Sequence, residues 1–455
     1  MQYKNTKMLG SMFLAGFWCV AIHAAPSATD VKELGAGLLP WGATKAGNEA
    51  KTIPEYDGHD YAKGEPIKSG IRPDPFANEK PLFTITAKNM AEHADQLSDG
   101  IKAMLQKYPD RYRLDIYPTH RTKVYPQWVQ DNSIKNATAC KLDDGNLKLQ
   151  GCYAGVPFPV PKDGAQVMWN HLIRYSTSGP MEGRFESYVV DASGRVTLQA
   201  DGAAAYYSPF FDQKWDGPVP EGTDYFTFRS DYTAPARQSG EKILTLDSTD
   251  MHGIGDRVWQ YLPGQRRVKS SPDLTFDTPS PVSGGSQTME DVRLHMGSIS
   301  RFDYKLVGKK ELYIPYNSFK MLDSATCGVA TLMKPNFHNP DCTRWELHRV
   351  WVVEATRKPG VRHLYSKKMF YFDEDAPDAG VSDSYDGAGK AYRVNVVFPY
   401  TMFEEKGFST DMMTTYDLQT GIYGSGYSSH GGWFAAPKRP VNYFTADGLS
   451  ASGVR

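Results

Sequence analysis

The run from Arg257 to Tyr316 constrains the fold most. It begins RVWQYLPGQRRVKSSPDLTFDTP and continues through TMEDVRLHMGSISRFDYKLVGKKELYIPY. Its later counterpart is LHRVWVVEATRKPGVRHLYSKKMFYFDED. Arg257, Trp259 and Tyr261 alternate with Val258, Gln260 and Leu262. A period of two places successive side chains on opposite faces of a strand. Pro263-Gly264 and Pro359-Gly360 supply the turns. Read the same way, Glu290 and Asp291 sit next to each other on a strand and point to opposite faces, so they do not share an acid/base site. A content of 13% aromatic residues, 41 glycines and 30 prolines fits a turn-rich sheet protein better than a helical bundle.

Both faces of these strands are apolar. Trp259 and Tyr261 oppose Val258 and Leu262, Trp351 and Val353 oppose Val350 and Val352, and Met369 and Tyr371 oppose Phe370 and Phe372. One face can pack on helices. The other, unless protein covers it, lines a cavity for a hydrophobic ligand. Periodicity leaves the choice of face open. The candidate lining set is Trp259, Tyr261, Tyr304, Tyr313, Trp351, Met369 and Tyr371.

The rest of the chain elaborates this sheet. Lys4 and Lys7 precede an apolar run from Met8 to Val20, the pattern of a secretory signal, with Ala24 before the expected cut. The formal charge of −1 becomes −3 without Lys4 and Lys7, so no basic footprint for nucleic acid exists. Residues 25–81 read as an extended arm that wraps the domain, with scattered Leu38, Trp41, Ile53, Tyr56 and Phe76. Thr84 to Tyr108 reads as helix with a second start at Ser98 or Asp99, and Asp163 caps another helix through Ile173. RYRLDIYPTHR and KVYPQWVQDNS read as a strand pair, and Asp144-Gly145 as a hairpin turn. Residues 82–400 form the sheet domain, and 401–455 an irregular tail packed on it.

Outside the signal, Cys140, Cys152, Cys327 and Cys342 remain. Four cysteines allow three pairings. The sequence-local one, Cys140–Cys152 and Cys327–Cys342, is expected in an oxidising compartment, at roughly 3 kcal/mol of stabilisation per loop. Neither pair has C-x-x-C spacing, and the histidines carry no H-E-x-x-H pattern, so no metal and no cofactor is expected. Gly426-Tyr427-Ser428-Ser429-His430 departs from the G-x-S-x-G elbow at its fifth residue, and no enzyme is expected. Arg266, Arg267 and Lys269 form the densest basic cluster, suited to a partner or a lipid head group, or to a solvated loop. No run after the signal is long and apolar enough to span a membrane.

Tyr261-Leu262-Pro263, Arg266-Arg267-Val268, Met289-Glu290-Asp291-Val292, Asp303-Tyr304-Lys305-Leu306, Trp351 to Thr356, Tyr365-Ser366-Lys367 and Phe372-Asp373 resemble the outer-membrane lipoprotein-sorting superfamily, which includes the periplasmic lipoprotein carrier. Leu39 to Asn48, Thr52-Ile53-Pro54-Glu55-Tyr56, Tyr117-Pro118-Thr119-His120-Arg121, Tyr125-Pro126-Gln127-Trp128 and Trp169-Asn170-His171-Leu172 resemble domain-of-unknown-function family 1329. The resemblance implies a mainly β (α+β) fold: a large curved antiparallel sheet forming an incomplete barrel, covered by a few helices. It implies a periplasmic binding or carrier protein for a lipid or other hydrophobic molecule. The implied partners are an outer-membrane protein and a resistance-nodulation-division exporter. The alternative is an envelope sensor or adaptor that docks a protein partner without carrying a ligand. The resemblance supplies no catalytic residue.

Overall fold

The computed structural model describes residues 31–451 except 63, 411, 429, 430, 438 and 441. The expected signal segment 1–24 and the first residues of the arm lie outside the described residues. The fold is mostly β. One 16-stranded sheet carries it and does not close into a barrel. Its first strands are short: β1 (Phe83–Ile85) and β2 (Leu114–Ile116). β3 (Lys141–Asp143) and β4 (Lys148–Gln150) form a separate hairpin. β5 (Met181–Val190), β6 (Val196–Tyr207), β7 (Asp224–Ala234), β8 (Lys242–Ser248), β9 (Arg257–Leu262) and β10 (Arg267–Ser270) follow as an antiparallel meander. β11 (Phe302–Pro315) pairs with β14 (Trp345–Arg357). Between them lies the small hairpin β12 (Met333–Lys334) and β13 (Phe337–His338). β15 (Lys367–Asp373), β16 (Gly380–Tyr385) and β17 (Ala391–Val397) extend the sheet from β14. After the hairpin of β18 (Tyr400–Met402) and β19 (Gly407–Ser409), β20 (Met413–Asp417) and β21 (Tyr423–Tyr427) join the two meanders. β22 (Phe434–Ala435) pairs with β5.

The sheet is antiparallel except at one contact, Trp345 with Ile116, where β14 meets β2 in parallel. The segment after Thr401 was expected to be irregular, yet β20 and β21 are the strands that weld the halves together. They are short and rich in Thr, Tyr and Gly, so they carry no apolar alternation for the eye to follow. KVYPQWVQDNS also departs from expectation: Gln127–Ala139 is a helix starting after Pro126, and Pro is well suited to a helix start, where its missing N–H costs nothing. The Thr84 helix is delayed. β1 takes Phe83–Ile85, a short 3₁₀ helix spans Met90–Gln96, and the α-helix Asp99–Lys107 begins at Ser98, whose hydroxyl accepts from the Ile101 N–H. Asp163 caps Gly164–Leu172 as predicted. Both sequence-local disulfides form, Cys140–Cys152 and Cys327–Cys342.

The arm is ordered across the described residues, with Leu39, Trp41, Ile53 and Phe76 buried in the main core. Trp41 packs against Tyr56 and Tyr125, ring centroids 5.3 and 4.8 Å apart. No helix among the described residues is long and apolar enough to cross a membrane.

The register defines one continuous inner face. Cross-strand partners share a face, so Phe370, Ser382, Asn395, Thr415 and Gly424 form one row across β15, β16, β17, β20 and β21. Lys368, Ser384, Arg393 and Asp417 form the next row on the same face. On the other half, Ser187 pairs with Gly426, and Phe228, Thr245 and Val258 align across β7, β8 and β9. The chain leaves one end of the sheet at β10 and re-enters near the other at β11. The connection, residues 271–301, crosses the inner face.

Candidate functional site

A mostly apolar cavity of about 150 Å³ lies between that connection and the β5–β8 half of the sheet. Phe185 of β5, Phe226, Phe228 and Tyr232 of β7, and Ile243 and Thr245 of β8 form its sheet wall. Strand periodicity selects this set: alternate residues of β7 and β8 face inward, and Leu244 and Leu246 face the other way, onto Tyr261 and Leu449. Leu274, Val282, Met289, Val292 and Met296 of the connection form the opposite wall. Arg293 also lines it, its guanidinium 5.4 and 5.2 Å from the ring centroids of Tyr206 and Phe226.

The far side of the same connection is ionic. Met289–Asp291 is a turn of 3₁₀ helix, and the Asp291 carboxylate accepts from the Thr288 backbone N–H at 3.1 Å. The turn brings Glu290 and Asp291 to one cation, Lys368 of β15, whose Nζ lies 2.9 Å from Glu290 and 3.2 Å from Asp291. Strand geometry had set these two carboxylates apart; the helical turn joins them. Tyr365 donates to Asp291 at 2.5 Å, and Asn395 of β17 donates at 3.3 Å. Arg393 reaches the same carboxylate at 3.7 Å, and His363 lies 3.2 Å from Glu290. Every one of these groups is buried. Burial would raise both carboxyl pKa values, but Lys368 outweighs it and holds both below their usual range, with His363 helping at Glu290 and Arg393 at Asp291. Burial would lower Lys368, and the two carboxylates keep it raised. His295, beside this cluster, is pulled down to about 4 by burial.

The family model described as "Protein of unknown function (DUF1329)" matches residues 84–450. The chain belongs to this family. A protein of Pseudomonas aeruginosa, described as uncharacterized, is 36% identical over 427 residues, 92% of each chain. Among solved structures, a DUF1329 family protein from Desulfovibrio piger is similar at a TM-score of 0.41 and 14% identity, over 61% of this chain and 93% of that one. A putative outer membrane lipoprotein-sorting protein domain from Vibrio parahaemolyticus gives 0.42 and 16%, over 63% and 98%. A LolA superfamily protein from Nitrosomonas europaea gives 0.36 and 10%, over 63% and 98%.

The motif residues of this DUF1329 protein build a second buried ion network, where the arm meets β14 and β15. Arg121 binds Asp375 through Nε and Nη2, at 2.6 and 2.8 Å, and donates to the carbonyl oxygens of Thr44 and Lys45. Lys309 and Arg349 hold Glu374 at 2.7 and 3.2 Å, and Thr44 donates to the same carboxylate. His348 lies between Glu346 and Asp373, 3.3 Å from each. Burial alone would lower its pKa, but Asp373 and Glu346 raise it to about 9. Donor atoms of His348, Asp373 and Asp375 lie within 4.8 Å of one another. In this arrangement His348 presents each ring nitrogen to a carboxylate, and Asp375 is already held by Arg121, so the geometry is that of an ion network. His171 stacks on Phe372 at 4.3 Å, and its ring nitrogens meet the carbonyl oxygens of Pro377 and His295.

None of the seven candidate lining residues is among the described residues lining the cavity. Trp259 and Tyr261 lie on the opposite face of β9, in the cluster with Leu244, Leu246 and Leu449; Val258 and Ile243 cluster on the cavity side. Tyr304 and Trp351 are on the inner face of the other half, where the Gly164–Leu172 helix presses on Tyr304 and Lys309 sits 4.3 Å from the Trp351 ring centroid. Met369 and Tyr371 face away from the Lys368 and Phe370 side. Tyr313 meets Phe83 and His93 edge-on. Arg266, Arg267 and Lys269 are exposed at the β9–β10 turn. The residues missed are Phe185, Phe226, Phe228, Tyr232 and Ile243, all on the first meander. DYFTFRSDYTA and KILTLD alternate as clearly as β9, so the signal was there. The capping pattern Thr288-x-x-Asp291 could also have revealed the helical turn.

Proposed function

We propose that this protein binds and carries a lipid or other hydrophobic molecule in the bacterial periplasm, after removal of the segment 1–24. The observation that carries the reading is the apolar cavity between the inner sheet face and the 271–301 connection. Burying a ligand's apolar surface there supplies about 25 cal/mol per Å². Release follows handover to envelope partners, for which an outer-membrane protein and a resistance-nodulation-division exporter are the proposed class. Arg266, Arg267 and Lys269 are the proposed contact for a partner or head group, being basic, clustered and exposed.

The test is native mass spectrometry and solvent extraction of the mature protein purified from its own envelope fraction, with titration of the apolar fluorophore N-phenyl-1-naphthylamine. A co-purifying hydrophobic molecule that displaces the fluorophore is the expected result. A protein that neither carries such a molecule nor binds the fluorophore ends the carrier reading; a stable protein partner recovered instead favours an adaptor.

A further inference from the structure

The cavity is small for the role proposed. Ligand pockets that enclose drug-sized molecules run from about 300 to 1,000 Å³, and this one holds about 150 Å³. The inner face has more room than that, but the 271–301 connection occupies it.

That connection is built as a separable body. The backbone-to-backbone hydrogen bonds of residues 276–296 close within it: Ser280 to Gln287, Met289 to Thr278, Glu290 to Phe276 and Met296 to Glu290. Its outward backbone contacts are to side chains, the Arg293 N–H to Met413 Sδ and the His295 carbonyl to His171. Its stretch Gln287–Met296 presents two surfaces. Gln287, Met289, Val292, Arg293 and Met296 face the cavity, while Glu290 and Asp291 reach Lys368 on the sheet. Glycines flank it, Gly284 and Gly285 on one side and Gly297 on the other, with φ of 58°, 78° and 80°. In between, Arg293 and Leu294 hold φ of 54° and 73°. Left-handed backbone costs roughly 1–2 kcal/mol at each non-glycine residue. That strain raises the energy of the inserted state, and the ion pairs oppose it.

We infer that Gln287–Met296 is a displaceable plug, hinged at the flanking glycines and latched to the sheet by Glu290 and Asp291 on Lys368 and Arg393, and that a hydrophobic ligand takes the space the plug vacates. The inference rests on the carrier reading for its ligand, and on the geometry alone for the motion. The latch is ionic while Met289, Val292 and Met296 make the cavity-side contact apolar, so the latch charges can be removed without emptying the core.

Two variants test it. Gly424 of β21 lies under the plug's leading hinge: a Cβ placed there would sit 3.3 Å from the Ser286 Cβ. Disulfides join Cβ atoms about 3.5–4.5 Å apart, so a shift of a few tenths of an ångström lets S286C/G424C staple the plug down. E290Q/D291N/K368M removes three of the four latch charges together, and the remaining one, Arg393, keeps Asp417 at 3.9 Å. The readouts are hydrogen exchange of peptides covering 276–296 and the uptake rate of N-phenyl-1-naphthylamine. Wild-type protein treated with the same reductant is the reference for the staple. The expected result is plug exchange and fluorophore uptake at least tenfold faster in the neutralised variant, with β6–β8 peptides unchanged. Oxidised S286C/G424C should lose uptake and regain it on reduction. Uptake by the oxidised staple at the wild-type rate, or plug exchange that occurs only together with the sheet, overturns the inference. If no form binds the fluorophore but plug exchange still responds to latch and staple, the plug stands and the carrier reading falls.

Discussion

The two halves of the inner face are made of the same kind of strand and end in opposite states. Over β5–β8 aromatic and aliphatic side chains predominate on the inward side, with Ser187, Ser230 and Thr245 among them, and a void remains. Over β15–β20 Phe370 is joined by Lys368, Ser382, Ser384, Arg393, Asn395 and Thr415, and hydrogen bonds link the polar groups: Thr415 donates to Asn395 at 2.7 Å, and Asn395 to Ser382 at 3.3 Å. Apolar walls tolerate a gap at the loss of some dispersion. Charged and polar walls do not, because each unpaired buried group costs its desolvation. The polar half therefore fixes where the connection sits, and the apolar half is left free to hold something else.

The largest effect that can break this contrast is Lys368→Met. It leaves Glu290 and Asp291 buried without their nearest cation, and removal of one partner from a buried pair costs about 3–5 kcal/mol. Phe228→Ala, in the cavity wall, removes a ring that already faces a void, and should cost no more than about 2 kcal/mol, below the usual range for a packed Phe. Urea unfolding of both variants gives the two numbers. Equal losses would mean that the halves are packed alike.

The pH dependence sharpens the ionic side. His348 is held up at about 9 by Asp373 and Glu346, above the roughly 6.5 of an unfolded histidine. A raised folded-state pKa contributes stability that is fully present below about 6.5 and is lost as pH rises through about 9. That difference corresponds to something on the order of 3 kcal/mol. Unfolding free energies measured between pH 6 and 10 should fall more steeply in the wild type than in His348→Gln. Parallel profiles would show that His348 is not the charged centre of the arm-side network.

Much of the sheet was legible because strands such as β7, β9 and β14 alternate, and both disulfides followed from cysteine spacing. The cavity face was not legible. Val258 and Trp259 are both apolar, and a period of two says that they face apart without saying which faces inward. That choice is made by the 271–301 connection, whose strand-like reading at Met289–Val292 was wrong because a three-residue turn overrides alternation. β20 and β21 were hidden for a related reason. Thr415 and Gly424 are buried through hydrogen bonding and close approach, and those leave no hydrophobic pattern.

The assignment of faces can itself be tested, with the smallest expected effect of the three. Thr245 lines the cavity on β8, and Trp259 lies on the opposite face of the neighbouring strand. Thr245→Phe places a ring in a void of about 150 Å³, and should weaken N-phenyl-1-naphthylamine binding by at least about tenfold, or 1.4 kcal/mol. Overpacking commonly costs about 1–3 kcal/mol, so affinity is read without urea, where circular dichroism shows the variant folded. Trp259→Ala removes a large side chain from the face toward Leu449 and should leave affinity within about twofold while lowering stability, as loss of partly buried apolar area does. The reverse pattern would move the ligand site to the outer face of β9 and detach it from the plug and its latch. A loss of affinity in both variants would mean that β8 and β9 transmit packing changes through the sheet, and the two faces would no longer be separable.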